Sequence, residues 1–170
     1  IELSRHIRDI PDYPVPGGNF KDICPLLQNA SALKLAVSSL VEIVESLEID
    51  VVAAPDARGF IFGVPVAMAL NCGFVPIRKA GKLPYEVNSL EYELEYGTDT
   101  LEIHVDAVEK GTRVLLVDDL LATGGTIKAC CELLEQQEAI VASCCFVVEL
   151  DFLNARERLA PRQVQSIIHY

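Results

Sequence analysis

The stretch Val114-Leu115-Leu116-Val117-Asp118-Asp119-Leu120-Leu121-Ala122-Thr123-Gly124-Gly125-Thr126 decides how this chain reads. Four consecutive aliphatic residues suit a strand covered on both faces, as in a parallel sheet. Asp118 and Asp119 end that run, Leu120 to Gly125 reads as a loop, and Ile127, Cys130, Cys131 and Leu134 then recur at helical spacing. Strand, loop and helix in this order put two carboxylates beyond the carboxyl end of a strand, where open α/β sheets bind ligands. The glycines and threonines fall at the start of the helix, whose unpaired N–H groups and positive dipole end attract phosphate. Gly-Gly alone would be an ordinary tight corner. Phosphate donors next to an acid pair suit a sugar phosphate better. Neither G-x-x-x-x-G-K-[ST] nor G-x-G-x-x-G occurs, so this is not a nucleotide loop of the Walker or dinucleotide kind.

Working outward, Val51 to Ala54 is a short buried-strand candidate broken by Pro55, and Gly59 to Asn71 reads as a helix that is apolar nearly all round. Phe74 to Ile77, Ile140 to Val148 and Val164 to Ile168 are further strand candidates. Leu33, Ala36, Val37, Leu40, Val44 and Leu47 mark a helix from Ser31. Ser4 through Asp9 reads as a short opening helix, followed by a Pro14-to-Gly18 loop. Ser89 to Tyr96 alternates weakly, as one arm of a hairpin with Leu101 to Val105. The segment from Arg78 to Gly97 is long for a connection, which marks it as functional. Strands alternating with helices predict an α/β fold, a mostly parallel twisted sheet flanked by helices, as one domain over residues 1–170.

The chain has 170 residues, of which 51% are apolar, enough for a core without disulfide staples. Its 14 basic and 25 acidic residues give a formal net charge of -11, which argues against nucleic-acid binding. Any anionic ligand must therefore be held by local cations and backbone N–H groups. Arg78, Lys79 and Lys82 supply such a cluster, and Arg58 follows an apolar strand at the start of a helix. Six cysteines without C-x-x-C spacing suggest neither zinc nor redox chemistry and fit a reducing, cytoplasmic compartment. No apolar run reaches the length of a membrane span, so no membrane association is expected. Three scattered histidines and the lack of a G-x-S-x-G turn leave zinc-enzyme and hydrolase readings without footing.

The run from Val114 to Thr126 resembles the phosphoribosyl-pyrophosphate signature of the type I phosphoribosyltransferases. Pro16-Gly17 with Phe20-Lys21-Asp22-Ile23, Asp56-Ala57-Arg58-Gly59-Phe60, Arg78 to Pro84, and Leu94-Glu95-Tyr96-Gly97 are similar to members of that family that act on adenine. The resemblance implies a purine salvage reaction in which adenine and 5-phosphoribosyl 1-pyrophosphate give AMP and pyrophosphate. It also implies a small base-binding hood at about residues 11–30, an active-site lid at about 78–97 and a homodimer. Two alternatives stay open: a relative that binds phosphoribosyl pyrophosphate with little or no catalysis, and an enzyme for a 6-oxopurine base.

Residue by residue, the resemblance implies that Ala122, Thr123, Gly124, Gly125 and Thr126 hold the 5′-phosphate and that Asp118 and Asp119 accept the ribose hydroxyls. Pyrophosphate falls to Asp56, Ala57, Arg58, Arg78, Lys79 and Lys82, with the Asp56-Ala57 peptide cis. Asn19, Phe20, Lys21 and Leu120 take the base, although Asn19 stands where aliphatic residues are usual and Ala57 where Ser is common. Glu95 and Tyr96 belong to the lid, Glu95 as acid/base on the purine, and Arg58 and Lys79 join it as catalytic groups. Magnesium is expected through substrate and water, with no direct protein ligand.

Overall fold

The computed structural model describes residues 2–94 and 96–170. The chain divides into two compact units, residues 1–39 and 40–170. The expected hood at about 11–30 lies inside the first.

In the first unit, Leu3–His6 is a single 3-10 turn and Arg8–Pro11 is a strand (β1), where the sequence predicts a helix over Ser4 to Asp9. The reason lies in the following loop. Asp12 and Gly17 adopt positive φ, the Asp12 N–H donates to Gly18 O at 2.7 Å, and the Gly17 N–H donates to Asp12 Oδ1 at 2.9 Å. The chain is thereby reversed, and Arg8–Pro11 pairs antiparallel with Asn19–Asp22 (β2). A short helix, Cys24–Gln28 (α1), follows, and then Ala30–Val44 (α2), whose first turn is capped by Asn29 Oδ1 accepting from the Ala32 N–H at 2.9 Å. The second unit begins within α2, at Leu40.

The second unit is built on Val51–Pro55 (β3), Arg58–Ala69 (α3), Gly73–Lys79 (β4), Val87–Glu93 (β5), Thr98–His104 (β6), Arg113–Leu121 (β7), Gly125–Gln136 (α4), Ile140–Glu149 (β8), Ala155–Leu159 (α5) and Val164–His169 (β9). Among the described residues the sheet order is β5-β6-β4-β3-β7-β8-β9. Strands β4, β3, β7, β8 and β9 run parallel, and the β5–β6 hairpin joins antiparallel through β6. The mostly parallel sheet predicted from the sequence is thus present.

From β3 the chain crosses by α3 to β4 on one side, and from β7 it crosses by α4 to β8 on the other. Right-handed crossovers in opposite directions put the two helices on opposite faces. Burial alternates accordingly. Ala53, Val75, Ile77, Leu101, Ile103, Val114 and Leu116 pack with Ile127, Cys130, Cys131 and Leu134 of α4. On the other face Ala54 meets α3. The switch in strand order falls between β3 and β7, so the crevice for a ligand opens at their carboxyl ends.

One sequence expectation changes here. The acid pair does not follow the strand: β7 continues through Leu121, because the long β8 offers pairing partners up to Glu149. The hairpin expected of Ser89 to Tyr96 with Leu101 to Val105 is present as Val87–Glu93 paired along its whole length with β6, and β4 runs through Lys79.

Candidate active site

At the carboxyl ends of β3 and β7 lies a cleft of about 270 Å³. The β3–α3 corner supplies Asp56, Ala57 and Arg58, β4 supplies Lys79, and β7 with the turn into α4 supplies Asp118, Asp119, Leu120, Ala122, Thr123, Gly124, Gly125 and Thr126. The Asp56-Ala57 peptide is cis.

The floor of the cleft is the start of α4. Gly124 caps the helix with φ of 88°, a conformation glycine adopts without steric cost. A methyl group there would also sit 3.1 Å from Ala155 Cβ. The first intrahelical bond runs from the Lys128 N–H to Gly124 O at 2.9 Å, so the N–H groups of Gly125, Thr126 and Ile127 have no helical acceptor. Together with the hydroxyls of Thr123 and Thr126 they form an anion cradle.

Opposite stand the two carboxylates. Asp119 is only 2% exposed, and Asp118 Oδ1 accepts the Asp119 backbone N–H at 2.8 Å. Burial, reinforced by the neighbouring Asp119 charge, pushes the Asp118 carboxyl well above the usual aspartate range. Arg58 opposes this shift, and its Nε lies 3.1 Å from Asp119 Oδ2. Helix α3 comes this close because Gly59 has no side chain: a methyl group there would lie 3.1 Å from Asp118 Oδ1 and 3.1 Å from Pro55 Cδ.

Three of the four cations expected on pyrophosphate already face an aspartate. Arg58 faces Asp119, Arg78 Nε donates to Asp56 Oδ2 at 3.2 Å, and Lys79 pairs with Asp99. Burial would lower the Lys79 pKa, but its bonds to Asp99 and Tyr92 outweigh that and hold it raised. The Tyr92 hydroxyl lies 3.5 Å from Lys79 Nζ and 3.4 Å from Thr126 Oγ1. The sequence reading missed Tyr92, Asp99 and Gly59. The first two become neighbours of the site only through strand register: Tyr92 faces Asp99 across the hairpin, while Lys79 and Leu101 are partners between β4 and β6.

Arg78 and Lys82 do not line the cleft, and Tyr96 is 89% exposed on the hairpin. Glu95 falls outside the described residues. Asn19, Phe20 and Lys21 belong to the first unit, where Phe20 meets Tyr13 edge-on with ring centroids 5.3 Å apart and Lys21 pairs with Asp9. Leu120 lines the cleft.

The hard carboxylate oxygens of Asp118 and Asp119 are the donor type that magnesium takes. Away from the cleft, Glu149, Asp151 and His169 gather ligand atoms within 4.8 Å of one another. There Glu149 accepts two bonds from Arg156, at 2.8 and 3.0 Å, and one from Ser166 at 2.7 Å. That cluster is an internal tie between β8, α5 and β9.

Residues 26–167 match the family model described as phosphoribosyl transferase domain. The chain is 56% identical to the adenine phosphoribosyltransferase of Nitrosococcus oceani over 168 residues, covering 99% of this chain and 98% of that one. The crystal structure of adenine phosphoribosyltransferase from Thermoanaerobacter pseudethanolicus superposes with a TM-score of 0.96 at 52% identity, covering 99% of this chain and 98% of that chain. The Saccharomyces cerevisiae enzyme, complexed with adenine and an imino-altritol bisphosphate, gives a TM-score of 0.89 at 40% identity over 95% of this chain and 94% of its own. With cradle, acid pair and cations converging on one crevice, and with likeness over the full length, the chain belongs to the phosphoribosyl transferase domain family and, within it, to the adenine phosphoribosyltransferases.

Proposed function

We propose that the chain transfers the 5-phosphoribosyl group of phosphoribosyl pyrophosphate to adenine, giving AMP and pyrophosphate. The observation that carries this reading is the juxtaposition, in one cleft, of the α4 N-terminus, the Asp118–Asp119 pair and the cations Arg58 and Lys79. In the reaction a carbon–nitrogen bond forms at the anomeric carbon, the bond to pyrophosphate breaks, and the purine loses a ring proton. The transition state gathers positive charge on the ribose and negative charge on the leaving group, so the site must stabilise both within a few ångströms.

The cradle of Ala122, Thr123, Gly124, Gly125 and Thr126 binds the 5′-phosphate through N–H and hydroxyl donors. Asp118 and Asp119 accept hydrogen bonds from the ribose hydroxyls and face the developing cation. Arg58, Lys79 and the Asp56-Ala57 amide take the pyrophosphate, with Arg78 and Lys82 adding positive charge. Asn19, Phe20, Lys21 and Leu120 are assigned to the purine, and Glu95 to its ring proton, with Tyr96 beside it on the lid. Magnesium supplies neutralisation of the clustered phosphate charge when bound, and Asp118 and Asp119 reach it at most through water.

Two coarser expectations complete the reading. Ile61, Val64 and Met68 form an exposed apolar stripe on α3, which suits a homodimer. None of the described helices is long and apolar enough to cross a membrane, and a cytoplasmic setting remains part of the reading on the cysteine spacing of the sequence.

The test is to mix the protein with phosphoribosyl pyrophosphate, magnesium and each base in turn, following nucleotide and pyrophosphate. AMP from adenine supports the reading. Product only from a 6-oxopurine, or tight binding with no product, refutes it. Glu95→Gln is expected to lose most turnover and the acidic limb of its pH profile, since a carboxylate that takes the ring proton must be ionised; full activity across the pH range would remove Glu95 from its role.

A further inference from the structure

Lys79 is the cation of the cleft whose counter-ion the reaction does not otherwise use. Asp119 opposite Arg58 belongs to the ribose pair and Asp56 opposite Arg78 to the pyrophosphate corner, whereas Asp99 sits on β6, outside the cleft lining. Strand register brings it there. Lys79 is the partner of Leu101, Asp99 lies two residues along β6 on the same face, and Tyr92 stands directly opposite Asp99. The ammonium therefore meets a carboxylate and a hydroxyl on one face of the hairpin, the hydroxyl also lying 3.4 Å from Thr126 Oγ1 in the cradle.

The pairing is only partly shielded, the side chains of Lys79 and Asp99 being 44% and 31% exposed. A half-exposed ion pair is weak, so a multiply charged pyrophosphate can draw the ammonium away from it. An aspartate that recaptures the lysine correspondingly weakens the hold on the departing group. We propose that Asp99 is a positioning residue that competes with pyrophosphate for Lys79, lowering the affinity for the diphosphate group and easing its release. The inference rests on the assignment of Lys79 to pyrophosphate.

Both statements are tested with magnesium pyrophosphate, by calorimetric titration and by product inhibition against phosphoribosyl pyrophosphate, on wild type, Asp99→Asn, Lys79→Met and the double variant. Asparagine keeps the side-chain oxygen that accepts the Thr100 N–H, at 2.8 Å in the native chain. Asp99→Asn is expected to bind pyrophosphate about two- to fivefold more tightly and to lower the KM for phosphoribosyl pyrophosphate by a similar factor, with kcat equal or reduced. The tightening should vanish in the Lys79→Met background and reverse in Asp99→Glu. Should Asp99→Asn unfold, Asp99→Ser takes its place. Unchanged or weaker pyrophosphate binding in a variant that melts like wild type overturns the competition, as does tightening that persists without Lys79. Unaltered pyrophosphate affinity in Lys79→Met overturns the assignment of Lys79 itself.

Discussion

Asp118 is a residue of the cleft whose ionisation the fold opposes. Its carboxyl is pushed up by burial and by the adjacent Asp119, so the ionised form is disfavoured in the folded state relative to the unfolded chain. A folded-state pKa above the unfolded value means that the proton stabilises the fold. This contribution is complete below the ordinary aspartate value of 3.8 and is lost as pH rises through the raised one. At neutral pH the buried Asp118 carboxyl is thus a net cost to the ligand-free protein. Asp118→Asn, which keeps an oxygen for the Asp119 N–H, should raise the melting temperature at pH 7 by about 2–4 °C, the shift that roughly 1 kcal/mol makes in a chain of this size. The gain should shrink as pH falls toward the ordinary value, which calorimetric melts across pH would show. Turnover should drop about ten- to a hundredfold, because a hydrogen bond from a ribose hydroxyl to a charged acceptor contributes about 1.5–3 kcal/mol. A variant that is both less stable and fully active would contradict both halves of this account.

Helix α3 illustrates how an element positions a site through what it omits. Gly59 and Gly63 lie four residues apart on the face toward the sheet, and a methyl group at Gly63 would sit 2.7 Å from Phe74 Cε1 and 3.1 Å from Ala54 Cβ. Gly63→Ala gains about 1 kcal/mol of helix propensity but must displace the Phe74 ring or lift the helix, which costs about 1–3 kcal/mol. The expected outcome is a lower melting temperature together with weaker pyrophosphate binding, since lifting α3 moves Arg58 away from Asp119. A melt and a pyrophosphate titration of the one variant check both. Such close approaches were not legible in the sequence, where Gly59 reads only as a helix start. What was legible followed from unbroken aliphatic runs: β3 and β8 begin at Val51 and Ile140, β7 one residue before Val114, and α4 on the second of its two glycines. The four-residue strands β1 and β2 carry no period and owe their pairing to the turn between them, so Ser4 to Asp9 reads wrongly as a helix. Asp99 and Tyr92 are likewise silent in one dimension, because their proximity to Lys79 depends on the register of three strands.

The whole molecule carries a formal charge of -11 and yet presents Ile61, Val64 and Met68, the last 75% exposed, along one side of α3. Two copies meeting through that stripe would repel each other electrostatically, so any association must be driven by apolar burial against a charge penalty. The sign of the salt dependence follows. Added salt screens exposed charges beyond about 10 Å at 0.1 M, weakening the repulsion while leaving the apolar contact intact. Dimerisation through α3 should therefore tighten between low and moderate ionic strength, the reverse of an interface held by surface ion pairs. Met68→Lys should shift the population toward monomer, because it removes apolar area and places a hydrated cation within the stripe. Sedimentation of wild type and variant over a salt series reads both effects. A dimer that loosens with salt, or one indifferent to Met68→Lys, would locate the contact on another surface. The variant also bears on catalysis: α3 begins at Arg58, so a monomer with unaltered kcat and pyrophosphate affinity would show that the cleft is complete within one copy, while a parallel loss of both would tie the geometry of Arg58 to the dimer.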